Sequence, residues 1–312
     1  MTIYQGNGAY CYANSASMLL STIGEKISPA LIEVVSGFAL GAFIERNQLL
    51  FFDICTSSPD KGICHAFEIL GFKVIEKVYK ESEPYPIEEL QKDLLHSPVM
   101  LGPLDMGHLS YNPNSRYLAG CDHYVLALGH HEHELLIHDP AGFPFVSLSF
   151  ERLALAWKAE NITWSSGCYR SWVTPQRISN PTSEEVYDKA VQLFILNYEE
   201  QKKHAKQEAR VAGGDAIRLK AQQIKEGAIG HEEIGHFVNF AFPVGARRAL
   251  DFSSFFHERH AQLSLLKYKQ AQLFGKCQTL AMKKNWTQLA EAMELLGDHE
   301  DHIEAAILSL HR

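Results

Sequence analysis

Cys11 occupies a position at which a thiol can become a nucleophile. It follows a polar, glycine-containing stretch, residues 4–10, and precedes the apolar run Ala13–Leu20, which predicts a helix that ends near Gly24. In the first turn of such a helix, unpaired backbone N–H groups and the positive end of the helix dipole favour the thiolate form. The sequence therefore predicts a reactive thiol at the start of a helix.

Gln5 lies six residues before Cys11, and its side-chain amide is a suitable donor to a reacting oxygen. Together with the backbone N–H of Cys11, it would stabilise the oxyanion of a tetrahedral intermediate. Asn7 and Tyr12, in the same stretch, are candidate substrate-binding residues. A cysteine beside an apolar helix is more often an inert core residue, so the nucleophile hypothesis requires a base elsewhere in the chain.

A strand pair later in the chain supplies that base. Residues 122–130 and 135–140 are predicted as two antiparallel strands that join at a polar turn and continue into a third strand. Pairing about this turn places residue 140 opposite His123, so Asp139, next to residue 140, should meet His123 across the two strands. An imidazole held by a carboxylate through one ring nitrogen can take a proton from a thiol with the other. We therefore predict His123 as the base and Asp139 as the residue that orients it.

Further polar residues are candidates for the wall of the same cleft. Asp105, His108 and Tyr111 follow a predicted buried strand, and Asp122 immediately precedes His123. They are predicted to contact substrate, with a simple turn as the alternative interpretation for the first three.

The elements that must position these residues form an α+β domain followed by helices. A segment with two prolines leads into the capping box Thr182–Glu185, after which helical periodicity continues almost to the end. The predicted domains are residues 1–178, which carry the catalytic residues, and residues 179–312, which are all α-helical. Within the second domain, the patterns predict a break near Phe252 and two separate helices over 286–296 and 298–310.

The net charge of the chain indicates which binding partners and substrates it can attract. The chain has 312 residues and a formal net charge of −8, and residues 1–180 contain 12 Lys+Arg against 19 Asp+Glu. This acidity argues against a nucleic-acid partner and is compatible with a cationic substrate.

The cysteines and the apolar runs indicate a compartment. The six cysteines include no CxxC pair, which is typical of reduced thiols in a cytoplasmic protein. The chain begins without a signal-peptide pattern and contains no apolar run of eighteen residues, so neither export nor a membrane span is expected.

Metal and cofactor sites are not expected from the histidine spacings. His231 and His236 are five residues apart, whereas the zinc-protease motif needs a spacing of four on one helix face. The pairs His257/His260 and His299/His302 are three apart, a spacing that many exposed polar pairs share.

Three of these motifs carry a resemblance to a known superfamily. Gln5 with Cys11, His123–Gly129 and Leu136–Pro140 resemble the Q-x5-C, H-hydrophobic-G and hydrophobic-D-P motifs of papain-like proteins, in particular double-glycine leader peptidases. The chain is also similar to the butirosin-biosynthesis H-protein family in three segments and in its added helical region. These segments are Cys11–Leu20, Gly37–Phe43 and Leu104–Tyr111.

The resemblance implies a papain-like cysteine-peptidase fold and a Cys11–His123–Asp139 triad, with Gln5 as the oxyanion donor. It implies an acyltransferase that moves an acyl or aminoacyl group from a carrier-protein thioester to an amine. We expect no cofactor. A cysteine peptidase or amidohydrolase with the same triad is one alternative, and a non-catalytic module that binds a peptide or an amine is another. Tyr12 follows the cysteine where papain-like enzymes commonly carry tryptophan.

Overall fold

The computed structural model describes residues 2–6, 10–44, 49–165, 167–208 and 211–311. The chain divides into two compact units. One consists of Met1–Ile32 and Ile63–Pro181, and the other of Glu33–Gly62 and Thr182–Arg312. The structure is α+β with antiparallel sheets, followed by a helical C-terminal region.

The helices and strands are numbered in chain order. The α-helices are α1 (Cys11–Ser21), α2 (Pro29–Val35), α3 (Pro59–Ile69), α4 (Ile87–Leu94), α5 (Phe150–Lys158), α6 (Ser183–Glu208), α7 (Gly214–Lys225), α8 (His231–His236), α9 (Phe242–Phe256), α10 (Ala261–Met282) and α11 (Trp286–Leu308). The strands are β1 (Phe43–Ile44), β2 (Leu50–Phe51), β3 (Phe72–Tyr79), β4 (Val99–Asp105), β5 (Asp122–His131), β6 (Glu134–Asp139), β7 (Phe143–Ser149) and β8 (Cys168–Arg177).

The first unit is built on a six-stranded antiparallel sheet in the order β3-β8-β4-β5-β6-β7. The predicted meander of β5, β6 and β7 is confirmed. Its register differs from the prediction, because the β5–β6 ladder reaches only Leu126↔His138 and is shifted between Ala127 and Gly129. His123 pairs instead with Leu104 on the other neighbour, β4.

The two faces of this sheet bury different clusters, because successive strand residues point to opposite sides. Val125 belongs to a core that includes Trp157 of α5 and Leu90 of α4. Tyr124 contacts the ring of Tyr12 in α1 edge-on, with ring centroids 6.1 Å apart. The helix that carries Cys11 is therefore held against the strand that carries His123.

Helix α1 owes its place to an almost fully buried sequence. Met18, Leu19 and Leu20 have no exposed surface, and each such side chain contributes roughly 1.5–3 kcal/mol to folding. The hydroxyl of Ser15 donates to the carbonyl oxygen of Tyr124 at 3.0 Å, which adds a polar contact to β5. Packing along its whole length fixes the start of the helix, where Cys11 lies.

The second unit corrects the predicted domain limits, since residues 33–62 belong to it rather than to the first unit. The physical reason is a buried ion cluster in which Arg248 of α9 binds both Glu33 and Asp53. Phe52 also packs edge-on against Phe274 of α10, with ring centroids 4.6 Å apart. Both contacts join residues about two hundred positions apart in sequence, which local patterns do not reveal.

Two helix predictions in this unit were wrong in detail. The break predicted near Phe252 lies after Phe256, where polar residues 257–260 separate α9 from α10. The two helices predicted after residue 286 form the single helix α11. Gly297, where the break was predicted, lies within this helix. A glycine is present there because the residue faces Gly214 of α7, and an added Cβ would lie 2.9 Å from the Gly214 carbonyl oxygen.

Among the described helices, none combines the length and the apolar character that crossing a bilayer requires.

Candidate active site

Cys11 is the first residue of α1 and is half-buried. The residue before it, Tyr10, has φ 58° and ψ 46°, a left-handed conformation that is unusual for a bulky side chain. The Tyr10 carbonyl oxygen accepts hydrogen bonds from the backbone and the side chain of Asn14, which close the first helical turn. The thiol therefore lies at the positive end of the helix dipole, as predicted.

His123 joins Cys11 to Asp139. Its Nε2 lies 2.7 Å from Oδ1 of Asp139, and its side chain is also hydrogen-bonded to the Cys11 thiol. Since Nε2 is engaged by the carboxylate, the ring nitrogen left for the thiol is Nδ1. Burial by itself would lower the pKa of His123, but Asp139 and Cys11 outweigh burial and raise the pKa to about 10.

Asp139 is fully buried, and both of its oxygens have partners. Oδ1 accepts from Nε2 of His123 and from the backbone N–H of Ala141 at 2.6 Å, while Oδ2 accepts from the Tyr111 hydroxyl at 2.8 Å. Burial would raise the pKa of this carboxyl, but His123 and these hydrogen bonds hold it below the usual value. The carboxylate is thus charged and fixed in orientation.

Tyr111 was predicted to contact substrate, and the structure places its hydroxyl on Asp139 instead. Its ring packs edge-on against Phe143 of β7, with ring centroids 5.9 Å apart. Burial and the nearby carboxylate raise the pKa of Tyr111 well above its ordinary value, so the phenol keeps its proton and acts as a donor.

Tyr4 is a residue of this site that the sequence reasoning missed. Its hydroxyl donates to the carbonyl oxygen of Asp139 at 2.8 Å, and its ring lies edge-on to His138, with centroids 5.2 Å apart. Gln5, the predicted oxyanion donor, is the next residue and is half-buried. The position of Tyr4 immediately before Gln5 was the only sequence signal available for it.

Asp105 has a different role from the one predicted. It is buried, and its Oδ1 accepts from the backbone N–H groups of Gly107 and Gly120, while its Oδ2 accepts from the side chain of Asn161. These bonds hold the loop between β4 and β5. Because both carboxylate oxygens are occupied by the protein itself, Asp105 stabilises this loop rather than lining a cleft.

The remaining predicted binding residues are dispersed. Tyr12 is buried against Tyr124, so it belongs to the interior. His108 ends a short 3-10 turn and is half-buried, and Asp122 is half-buried beside His123. Asn7 lies outside the described residues.

Two of the histidines considered for metal binding have other partners. Nε2 of His236 bonds to the carbonyl oxygen of Leu50 at 2.8 Å, and Nε2 of His299 to that of Leu266 at 2.7 Å. Across the ranges described, no group of three or more His, Cys, Asp or Glu side chains is arranged to hold a metal ion.

This arrangement can support nucleophilic chemistry. A thiol that is hydrogen-bonded to an imidazole can transfer its proton to that ring, and a carboxylate on the opposite nitrogen stabilises the imidazolium that results. The thiolate formed at Cys11 would be a competent nucleophile toward an acyl carbon. The buried Asp139 would keep His123 in the orientation that this transfer requires.

Comparison with known proteins identifies a protein that is similar along the whole chain. A protein of Bacillus subtilis (strain 168) described as "Uncharacterized protein YobF" is 39% identical over 310 residues, which cover 99% of each chain. A family model described as the YobF C-terminal domain matches residues 207–308, in the helical unit. The full-length similarity spans both units.

Proposed function

The chain belongs to the YobF family, and we propose that it is a cysteine-dependent acyltransferase whose first unit has the papain-like fold. In this proposal Cys11 is the nucleophile, His123 the base, Asp139 the orienting residue and Gln5 the oxyanion donor. The observation that carries it is the hydrogen-bonded chain from the Cys11 thiol through His123 to the buried carboxylate of Asp139.

The first half-reaction forms an acyl-enzyme. The Cys11 thiolate attacks the carbonyl carbon of a thioester donor, and the carbonyl π electrons move to oxygen. Gln5 and the Cys11 backbone N–H stabilise this oxyanion. When the carbonyl re-forms, the bond to the donor sulfur breaks, and that sulfur takes a proton from the His123 imidazolium and leaves as a thiol. The acyl group is then bonded to Cys11.

The second half-reaction passes the acyl group to an amine. The amine nitrogen attacks the acyl carbon while His123 takes a proton from it, and a second tetrahedral intermediate forms. Collapse of this intermediate expels the Cys11 thiolate and releases an amide. The net acidity of residues 1–180 supports an acceptor that binds as an ammonium ion and loses one proton to solvent before its nitrogen attacks. If water replaces the amine, the same steps give hydrolysis.

The source of the acyl group and the cellular compartment are further parts of this proposal. We propose a carrier protein as the source of the acyl or aminoacyl thioester, with the helical second unit as its docking partner. All six cysteines are free, which supports a reducing, cytoplasmic environment.

The proposal is tested by mass spectrometry of the protein mixed with aminoacyl-N-acetylcysteamine thioesters. We expect one acyl group on the Cys11 peptide, lost faster when a primary amine is added than in buffer alone. Cys11→Ala should abolish the adduct and His123→Ala should slow it strongly, while Cys121→Ala, at an exposed cysteine, should leave it unchanged.

Three results would count against this function. Equal adduct formation in Cys11→Ala would exclude the proposed nucleophile. Release by water alone, insensitive to amine, would indicate a hydrolase. Absence of any adduct, with Cys11 no more reactive than Cys121, would indicate a binding module.

A further inference from the structure

The hydroxyl of Tyr4 is inserted into the turn that follows Asp139. It donates to the Asp139 carbonyl oxygen at 2.8 Å and accepts a hydrogen bond from the backbone of Gly142. Within the same turn, the Gly142 N–H also lies 3.3 Å from the Asp139 carbonyl oxygen. The phenol therefore takes part in the turn as both donor and acceptor.

The segment around Tyr4 has a second attachment. The backbone N–H of Ile3 donates to the hydroxyl of Ser21 at the last turn of α1, at 3.0 Å. Gln5 lies one residue beyond Tyr4, and consecutive Cα atoms are about 3.8 Å apart, so fixing Tyr4 restricts the position of Gln5.

The next residue shows how closely this segment is packed. A Cβ added to Gly6 would lie 2.2 Å from the Tyr4 phenolic oxygen and 2.5 Å from the ring carbon that bears it. Such distances are far inside van der Waals contact, so a side chain at residue 6 would push the phenol away from Asp139. Glycine at this position allows the Tyr4 contact to form.

The Tyr4 contact differs in kind from the other contacts of Asp139. The carboxylate oxygens are occupied by His123, Ala141 and Tyr111, whereas Tyr4 binds only the main-chain oxygen. Loss of the Tyr4 hydroxyl therefore leaves the partners of the carboxylate, and hence the base, in place. What it loosens is the Tyr4–Gln5 stretch, which keeps the Ile3–Ser21 hydrogen bond on its other side.

We propose that Tyr4 is a positioning residue that ties Gln5 to the Asp139 turn and so holds the oxyanion donor beside the carbonyl oxygen of the acyl group. This inference rests on the proposed function, because it assigns the oxyanion role to Gln5. It adds a requirement for Tyr4 that the triad alone does not contain.

The test compares two reactions of Cys11 in the full chain. Acylation by an aminoacyl-N-acetylcysteamine thioester passes through an oxyanion, whereas alkylation by iodoacetamide at pH 6 displaces iodide without one. We expect Tyr4→Phe to slow acylation at least tenfold, since small displacements of catalytic groups have effects of this size. Alkylation should stay within twofold of the wild-type rate.

A double-mutant cycle identifies the residue through which Tyr4 acts. Gln5→Ala alone should slow acylation by about a hundredfold. Adding Tyr4→Phe to this variant should have no further effect, because the group that Tyr4 positions is already absent. Gly6→Ala should reproduce the Tyr4→Phe pattern, and Tyr117→Phe, at an exposed tyrosine, is the matched control.

Several outcomes would overturn the inference. Equal slowing by Tyr4→Phe with and without Gln5 would show that Tyr4 does not act through Gln5. Parallel loss of alkylation would show an effect on the thiol or its base. Unchanged acylation in Tyr4→Phe, with wild-type protein readily acylated, would refute the inference and leave the proposed function standing. A wild-type protein that is never acylated would instead refute the proposed function, and this inference with it.

Discussion

Replacement of Asp139 by asparagine removes one charge from a buried contact while keeping the shape of the side chain. In the wild-type protein, Oδ1 of Asp139 lies 2.7 Å from Nε2 of His123, and both side chains are buried. We expect Asp139→Asn to shift the thiol–imidazole pair toward its neutral form, because the imidazolium loses the carboxylate that stabilises it.

The magnitude follows from Coulomb's law. Two unit charges about 4 Å apart interact by about 4 kcal/mol at an effective dielectric constant near 20. The asparagine oxygen still accepts the hydrogen bond from His123, so we take about half of this energy, roughly 2 kcal/mol, as lost. At about 1.4 kcal/mol for each factor of ten, the equilibrium constant between the thiolate–imidazolium form and the neutral form should fall about 30-fold, and the population of thiolate at Cys11 falls with it.

Alkylation with iodoacetamide at pH 6 measures this population, since the thiolate is the species that reacts. Peptide mapping gives the rate at Cys11 and, in the same sample, at the exposed Cys121. Although Cys121 is accessible at the surface, neighbouring protein atoms exclude part of the water around its sulfur, and this desolvation, with the charges of Asp122 and Asp105, raises the pKa of the thiol; Cys121 therefore provides a slow internal reference.

Asp188→Asn, at an exposed carboxylate of the second unit, is the matched control and should leave the rate at Cys11 unchanged. A rate for Asp139→Asn within threefold of wild type, in a protein that melts as a folded domain, would refute the electrostatic role of Asp139. So would equal rates at Cys11 and Cys121 in the wild-type protein.

Three further predictions concern the support of the site and of the fold. Tyr111→Phe removes a hydrogen-bond donor from the buried Asp139 carboxylate and should lower the free energy of unfolding by about 1–3 kcal/mol in denaturant titrations. Tyr117→Phe, at an exposed position, should change this free energy little. An unchanged midpoint for Tyr111→Phe would contradict the prediction. The pKa of His123 rises on folding from 6.5 to about 10, so the protonated imidazole stabilises the folded protein relative to His123→Gln, by at most roughly 5 kcal/mol. This difference in the free energy of unfolding should be complete below pH 6.5 and disappear as the pH approaches 10. A difference that grows with pH would have the wrong sign. Gly214→Ala places a Cβ 2.5 Å from the backbone oxygen of Gly297 and should destabilise the helical unit by about 1–3 kcal/mol in thermal melts. The control Gly235→Ala adds a Cβ that meets no atom of the described chain within 4 Å, so it should be neutral or slightly stabilising. Equal effects of the two substitutions would argue against the close crossing of α7 and α11.

Local patterns were sufficient to predict the elements that carry the site. The apolar run after Cys11 predicted α1, and the alternation around His123 and Asp139 predicted their strands. The pairing of these strands also correctly predicted that His123 and Asp139 lie close together, although the predicted register differs from the observed one. Asp139 lies at the end of β6, and its side chain reaches His123 beyond the last β5–β6 pair, Leu126↔His138. The shift lies next to Gly129, and a glycine within a strand often marks a bulge, a signal that the assumed register did not use.

Contacts between distant residues were beyond these patterns. Tyr4 and Tyr111 bind Asp139 across 135 and 28 residues respectively, and nothing in their local sequence marks them as its partners. Asp105 was predicted to line a cleft because it follows a buried strand, but its three hydrogen bonds to the β4–β5 loop and Asn161 form only in the folded chain.

The helical unit shows the same limit. Helical periodicity predicted where most of its helices lie, but it did not predict that residues 33–62 join them through Arg248. Nor did it predict that α11 passes through Gly297 without a break, since that glycine is required by the close approach of Gly214.

The most direct measurement of the central claim is the mass of the Cys11 peptide after brief incubation with an aminoacyl thioester, followed over time with and without a primary amine. The expected result is a single acyl adduct on Cys11 that forms slowly in His123→Ala and is discharged to an amide when the amine is present. An adduct that is absent, that forms on other cysteines at the same rate, or that is indifferent to His123 would contradict it.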